Sequence, residues 1–326
     1  MLDVRRLRLL SDLHRLGTIA AVAEARAYTP SAVSQQLSAL EREAGVPLLE
    51  RTGRRVALTA AGQVLVRHAE TVLAALEEAD AAIAAVRTGP AGPIRIGAFP
   101  SAVRTLLPQA LVALGRDHPA LELMVTELDP VAVPAALRER TLDVGLLHDY
   151  DIAPAEADPA LDSVPLLRET VFLAEPAETA GGVLAETATR PWILATPGTL
   201  CHEVTQRVCR AAGFTPRARH HADDFATVLA LVAAGQGVSL VPELAAVPPP
   251  AGVRLTALAT RRRTRVAFRR GAATHPAVAA VVTALSNATH PAVTPGVTAH
   301  GNATHPAVTP GVTTPTNATH PAVTPA

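Results

Sequence analysis

Between Thr18 and Gly62 the chain reads TIAAVAEARAYTPSAVSQQLSALEREAGVPLLERTGRRVALTAAG, and no other stretch restricts the fold so narrowly. Gly17 ends a first helix, and Thr18 is suited to cap a second one whose Ala20, Ala21, Ala23 and Ala27 allow close helix–helix approach. Thr29 then caps a third helix with Pro30 at its first position, where the missing N–H costs nothing. Val33, Leu37 and Leu40 recur at helical spacing and face inward. Ser31, Ser34, Gln35 and Ser38 are left facing outward. A short Gly-containing hairpin bearing Arg51, Arg54 and Arg55 follows. Small-residue helix, turn, polar-faced helix and basic hairpin are the parts of a winged helix-turn-helix, whose second motif helix enters the DNA major groove. Hydroxyls and amides hydrogen-bond base edges and phosphates. Ser and Gln are also ordinary surface residues, and it is the adjoining arginines that favour DNA contact. The expected DNA-binding residues are Thr29, Ser31, Ser34, Gln35, Ser38, Arg51, Arg54 and Arg55.

Charge is consistent with a local basic surface. The 326 residues have a formal net charge of zero, so no global field draws nucleic acid in. Residues 1–60, however, hold nine arginines against six acids. All 29 basic residues are Arg, which reads as GC-rich codon usage and carries no functional inference. No apolar run approaches the ~20 residues of a membrane span. The amino terminus threads charges through its apolar positions and lacks the uninterrupted core of a secretory signal. Two cysteines suggest a reducing compartment, and a cytoplasmic location is expected.

Ahead of the motif, Val4, Leu7, Leu10 and Leu13 give the first helix its apolar face. After it, Thr59 opens a long helix reaching Val86 or Arg87. Leu65, Ala69, Val72, Leu76, Ala79, Ile83 and Val86 step alternately by four and three, an a/d seam of more than three heptads that predicts dimerisation. Gly89-Pro90-Ala91-Gly92-Pro93 breaks this helix. Beyond it, short apolar strands alternate with helices, the pattern of α/β units with parallel pairing. Strands are expected at Ile94–Ala98, Leu121–Glu127, Asp143–Leu147, Thr170–Ala174, Trp192–Ala195, Arg217–His221 and Val238–Val241, and helices from near Ser101, Val133, Thr199 and Asp224. Two such subdomains place a cleft between them. From Ser286 the sequence changes again. NATHPAVTP recurs at Asn287, Asn302 and Asn317, seven prolines fall in the last 41 residues, and no charge follows Arg270. Such a composition predicts a disordered tail.

Taken together, Thr29–Gly62 resembles the DNA-binding signature of the LysR-type transcriptional regulators. IGAFPSAVRTLLP at Ile96–Pro108, LDVGLL at Leu142–Leu147, RPWILATPGT at Arg190–Thr199 and LALVAAGQGVSLVP at Leu229–Pro242 agree with that family. Leu49 departs from it, since Phe is usual before the wing, and a looser local packing is expected there. The resemblance implies an N-terminal all-α winged helix-turn-helix with a long linker helix, followed by an α/β two-lobed periplasmic-binding-protein-like effector domain. The expected domains are residues 1–58 (DNA-binding), 59–88 (linker and dimerisation helix), 89–285 (effector-binding) and 286–326 (tail). The implied partners are double-stranded DNA of imperfect dyad symmetry, a small-molecule effector, and further copies of the chain as dimer or tetramer. A contact with RNA polymerase is compatible with that role.

An effector should sit near strand carboxyl ends and helix amino termini. Ser101 occupies such a place after Ile94–Ala98 and Thr196 and Thr199 the matching place after Trp192–Ala195, with Phe99 and His148 as near neighbours and His221 and Asp223 clustered before another helix. These seven are the expected effector residues, although Ser and Thr also cap helices everywhere. An anionic or zwitterionic metabolite is expected. Cys201 and Cys209 raise a redox-sensing alternative, because peroxide-sensing members of the family carry two cysteines in this region. Eight residues of helix would hold them roughly 12 Å apart along the axis, beyond disulfide reach. An α/β metabolic enzyme is a further alternative, but no Gly-rich phosphate loop, H-E-x-x-H or G-x-S-x-G is present. No catalytic residue, metal site or cofactor is expected.

Overall fold

The computed structural model describes residues 1–52, 55–86, 89–179, 182–246 and 248–289. The tail expectation therefore lies outside the described residues. The amino-terminal part consists of α1 (Val4–Leu16), α2 (Ile19–Ala25), α3 (Pro30–Ala44), β1 (Leu49–Thr52), β2 (Arg55–Leu58) and α4 (Ala60–Ala85). Every helix start here has a side-chain cap: Asp3 accepts from Arg5 and Arg6 N–H, Thr18 from Ala21, Thr29 from Ala32 and Thr59 from Gly62. Gly17 and Gly45 end α1 and α3 at φ of 73° and 69°, left-handed values that a Cβ disfavours. Leu7, Leu10, Leu13, Val22, Val33, Leu37 and Leu40 form the core between the three helices, while Val4 is exposed at its margin. The hairpin is pinned by Glu41, whose Oε1 accepts the N–H groups of Leu48 and Leu49 at 2.9 and 3.0 Å. Leu49 itself is half-buried against this core.

The heptad seam of α4 divides. Leu65 and Ala69 pack onto the core just described. Past them Val72, Leu76, Ile83 and Val86 are exposed, the last two at 70% and 88%.

The remainder is a pair of α/β lobes built on β3 (Gly92–Ala98), α5 (Pro100–Thr105), α6 (Leu107–Asp117), β4 (Leu121–Glu127), α7 (Val133–Arg138), β5 (Val144–Tyr150), β6 (Leu161–Pro176), β7 (Pro191–Leu194), α8 (Leu200–Ala211), β8 (Arg217–His221), α9 (Phe225–Ala233), β9 (Ser239–Pro242), α10 (Glu243–Ala246), β10 (Val253–Arg269) and α11 (Pro276–Thr289). A six-stranded sheet runs β4-β3-β5-β10-β6-β9, and β7-β8 form a separate parallel pair. In the first lobe one sheet face packs on α5, α6 and α11 around Ile96, Leu107, Leu146, Val281 and Leu285, and the other on α7. The second lobe buries Trp192, Leu173 and Val208 on the α8 side, and Ile193, Val232 and Val241 on the α9 side.

Parallel pairing proves only part of the topology. β3 pairs parallel with β4 and β5, but β10 runs antiparallel to β5 and β6, and β6 antiparallel to β9. The long strands β6 and β10 pass through both lobes as one ribbon, with a register shift between Ala257 and Arg261 where they cross. β10 is unforeseen in the sequence because RLTALATRRRTRVAFR interleaves charge with apolar residues and shows no short apolar run.

Candidate DNA-binding face and effector cleft

On α3 the inward residues Val33, Leu37 and Leu40 are buried, which fixes the opposite side outward. Thr29, Ser31, Gln35 and Ser38 are exposed and Ser34 is half-buried, so the expected polar set shares one face. Thr29 is shared between two tasks, since its hydroxyl caps Ala32 N–H and lies 3.0 Å from Ser31 Oγ. Gln36, exposed beside them, is already engaged: Arg6 Nε donates to its Oε1 at 2.9 Å. Arg51 lies on β1 opposite Val56 and Arg55 on β2 opposite Thr52, at the tip side of the hairpin. Arg54 lies outside the described residues.

Between the lobes is a cavity of about 280 Å³. Phe99, Ser101, His148, Thr199 and Asp223, five of the seven expected effector residues, stand on its wall. They arrive there from four strand ends, one of them β8, which closes at His221 ahead of Asp223. Ala98 closes β3 and hands on to Phe99 and the start of α5, His148 lies near the end of β5, and Leu194 closes β7 ahead of the turn to Thr199. Thr199 caps α8 by accepting from His202 N–H, and its hydroxyl donates to Thr196 O at 2.8 Å. Thr196 and His221 are placed behind this wall. Thr196 donates from its N–H and its hydroxyl to the two carboxylate oxygens of Asp223, both at 2.7 Å. His221 is exposed, with Nδ1 3.3 Å from Ala195 O. Both thus act on the shape of the β7–α8 turn.

The residue that organises the cavity was not foreseen. Arg262 sits on β10 immediately after the register shift, between Tyr150 of β5 and Glu169 of β6. It is fully buried. Its Nε donates to Glu169 Oε1 at 2.7 Å, and its Nη2 approaches Ser101 Oγ at 3.5 Å. Its guanidinium lies 4.9 Å over the Phe99 ring. Burial opposes its charge, but Glu169, together with Tyr150 and Cys201, more than offsets that and the pKa is raised. A lone Arg within RRRTR carries no sequence signal that it, and not Arg261 or Arg263, turns inward; only strand register decides.

His148 is held edge-on between Phe99 at 4.8 Å and Tyr150 at 5.6 Å. Burial, reinforced by Arg262, keeps its pKa well below the ordinary value, so the ring is neutral at pH 7. Its Nδ1 is buried and, among the described residues, has no hydrogen-bond partner. Three exposed carboxylates complete the rim: Glu127, Asp129 and Asp223. The cavity thus has a cation at its floor and acids at its mouth.

Cys201 also lines this wall, with Sγ 3.7 Å from Tyr150 Oη. Burial raises its thiol pKa despite the nearby Arg262. Cys209, eight positions on along the same α8, is buried in the second lobe, and burial pushes its thiol up to about 12. Neither sulfur has the depressed pKa of a reactive thiolate. Among the described residues no group of His, Cys, Asp or Glu is arranged to hold a metal. No described helix is long and apolar enough to cross a membrane.

A helix-turn-helix with a basic hairpin, a rod and a two-lobed ligand-binding fold define a ligand-responsive regulator. Two family models match the parts on either side of the rod: the bacterial regulatory helix-turn-helix protein, lysR family, over residues 4–63, and the LysR substrate binding domain over residues 87–289. The chain belongs to the LysR family of transcriptional regulators, DNA-binding proteins with an effector-binding domain. It is 33% identical to a probable hydrogen peroxide-inducible genes activator of Mycobacterium avium, over 68% of this chain and 72% of that one. It is 26% identical to the transcriptional dual regulator GltC of Bacillus subtilis, over 74% of this chain and 81% of the other. A mutant OxyR of Corynebacterium glutamicum has the same fold, with a TM-score of 0.54 at 24% identity, over 89% of this chain and 92% of that structure.

Proposed function

We propose that this regulator responds to a small zwitterion of amino-acid type bound between the lobes, and that α3 and the wing deliver the response to an operator. The observation that carries the reading is the charge layout of the cleft, with buried Arg262 and the polar Ser101, His148 and Thr199 inside and exposed Asp129, Glu127 and Asp223 at the mouth. A carboxylate suits the guanidinium and hydroxyl end. An ammonium group suits the acidic rim. In a thermal-shift panel, amino acids should stabilise the protein, whereas matched amines and matched carboxylic acids lacking one charge should not. Asp129→Asn should remove the discrimination against the carboxylic acids. Equal response to all three classes would refute the zwitterion assignment.

For DNA, Ser31, Ser34, Gln35 and Ser38, with Thr29 at the helix start, are assigned to base and backbone contacts in the major groove. Arg51, Arg54 and Arg55 are assigned to phosphates. Replacing Arg51 and Arg55 with Ala should weaken binding to all duplexes and flatten the salt dependence by about 0.9 in log–log slope per lost phosphate contact. An unchanged slope, measured by fluorescence anisotropy across a salt series, would remove the wing from the interface. The exposed seam Val72, Leu76, Ile83 and Val86 is assigned to dimerisation, which would set two α3 helices on successive major-groove turns. The protein would act in the cytoplasm, where its operator is.

The peroxide-inducible relatives favour a second reading, with Cys201 as a redox centre. The raised thiol pKa of both cysteines weighs against it. Thiol oxidation by peroxide accompanied by altered operator occupancy would restore it.

A further inference from the structure

A second cavity, of about 70 Å³, lies where α1 and α4 meet the first lobe. One water needs ~10–15 Å³ of such space, so this one suits a few waters or a single tetrahedral oxyanion. Six arginines line it: Arg8 on α1, Arg26 after α2, Arg138 and Arg140 at the end of α7, and Arg269 and Arg270 at the end of β10. Among the described residues Asp12, Glu70 and Glu77 are the acids on the same wall.

The partners can be followed one by one. Arg26 donates to Asp12 at 2.6 Å. Arg140 and Arg269 share Glu77, a buried residue of α4, and Arg138 pairs with Asp158. Glu70 is approached by the Ser11 hydroxyl at 3.4 Å. Among the described residues this leaves Arg8 with no hydrogen bond or ion pair, and Arg270 with side-chain contact only to the Pro159 carbonyl at 3.4 Å. The Nε of Arg138 is buried and unpaired. Arg8 is held below its ordinary pKa by burial and by the repulsion of Arg140 and Arg26. Arg138 is pushed down to about 10, chiefly by burial and by Arg15. Close packing also fixes the wall. A Cβ on Gly271 would stand 2.3 Å from the Ala74 carbonyl oxygen, so the turn after β10 rests directly on α4.

We propose that this cavity binds one phosphate-type oxyanion, free or as the phosphate end of a small metabolite, through Arg8, Arg270 and the Nε of Arg138. Guanidinium forks match such an anion in charge and geometry. The three donors come from both sides of the junction, Arg8 from the DNA-binding helices and the other two from the effector lobe. An anion held between them favours the arrangement in which the two are packed together. By linkage, phosphate then shifts any equilibrium between this arrangement and a looser one. The site is separate from the interlobe cleft and stands whether or not the zwitterion assignment does.

The test is calorimetric titration and thermal melting of the full chain with inorganic phosphate and with glycerol 3-phosphate, against sodium chloride at equal ionic strength and without DNA. Saturable stabilisation by a phosphate species, unmatched by chloride, is expected. Arg8→Gln should raise the half-saturating concentration tenfold or more while melting, without phosphate, no lower than the parent. Arg270→Gln serves as the second variant if Arg8→Gln does not fold. Tighter titration by glycerol 3-phosphate assigns the site to a phosphomonoester, and tighter titration by inorganic phosphate to the free anion. Stabilisation that follows ionic strength alone, or that both variants retain in full, means an adventitious ion only and overturns the proposal.

Discussion

Arg262 shows how one residue can serve both lobes. Its cross-strand partner Glu169 neutralises it, and Phe99 and Ser101 of the first lobe close over it. A buried charge left without its partner is costly, about 3–5 kcal/mol. Arg262→Met should therefore destabilise by that order in a urea melt, because Glu169 is stranded. Arg262→Met combined with Glu169→Gln should recover a substantial part. Strict additivity of the two losses would mean that the ion pair is not the origin of either. His148 illustrates the opposite solution. Burial, reinforced by Arg262, keeps it neutral, and among the described residues its Nδ1 has no hydrogen-bond partner.

Among the elements, α4 has two tenants for one apolar seam. Its first turns bury Val66 and Ala69 in the helical core with Leu65 half-buried against them, and Gly62 lets the helix approach closely, since a Cβ there would lie 2.2 Å from the Leu48 carbonyl oxygen. Among the described residues the later positions Val72, Leu76, Ile83 and Val86 stay exposed. Ile83→Asp is expected to convert a dimer to monomers in sedimentation velocity, at concentrations where the parent is fully associated. Because Ile83 is 70% exposed, the protomer's own melting should barely change. A variant that stays dimeric would move the interface elsewhere. The heptad pattern was plain in the sequence, but its division was not, since period says which face is apolar and not what covers it.

At the scale of the whole molecule, Glu77 joins the rod to the first lobe through Arg140 and Arg269. The final described helix, α11, completes that lobe by burying Val278, Val281 and Leu285, with Ala288 packed beside them. The helix therefore continues past the Leu285 boundary drawn from the sequence. Truncation after Thr289 should leave the melting temperature within about 2 °C of the full chain and operator affinity unchanged. The sequence beyond it is an uncharged Thr/Pro repeat outside the described residues. A large loss in calorimetry would assign the repeat a structural part.

The helix-turn-helix, its caps and its polar face were legible in the residues because each depends on neighbours within a few positions: Gly17 before Thr18, Thr29 before Pro30, Val33 to Leu40 by helical period. So were most strands and the cleft that two α/β units imply. Long-range pairing was not. Which of the arginines in β10 turns inward, that Glu169 meets Arg262 across 93 residues, and that α1 faces α7 over a cluster of guanidinium groups all follow from strand register and domain contact. These bring together side chains that local patterning treats as independent surface charges.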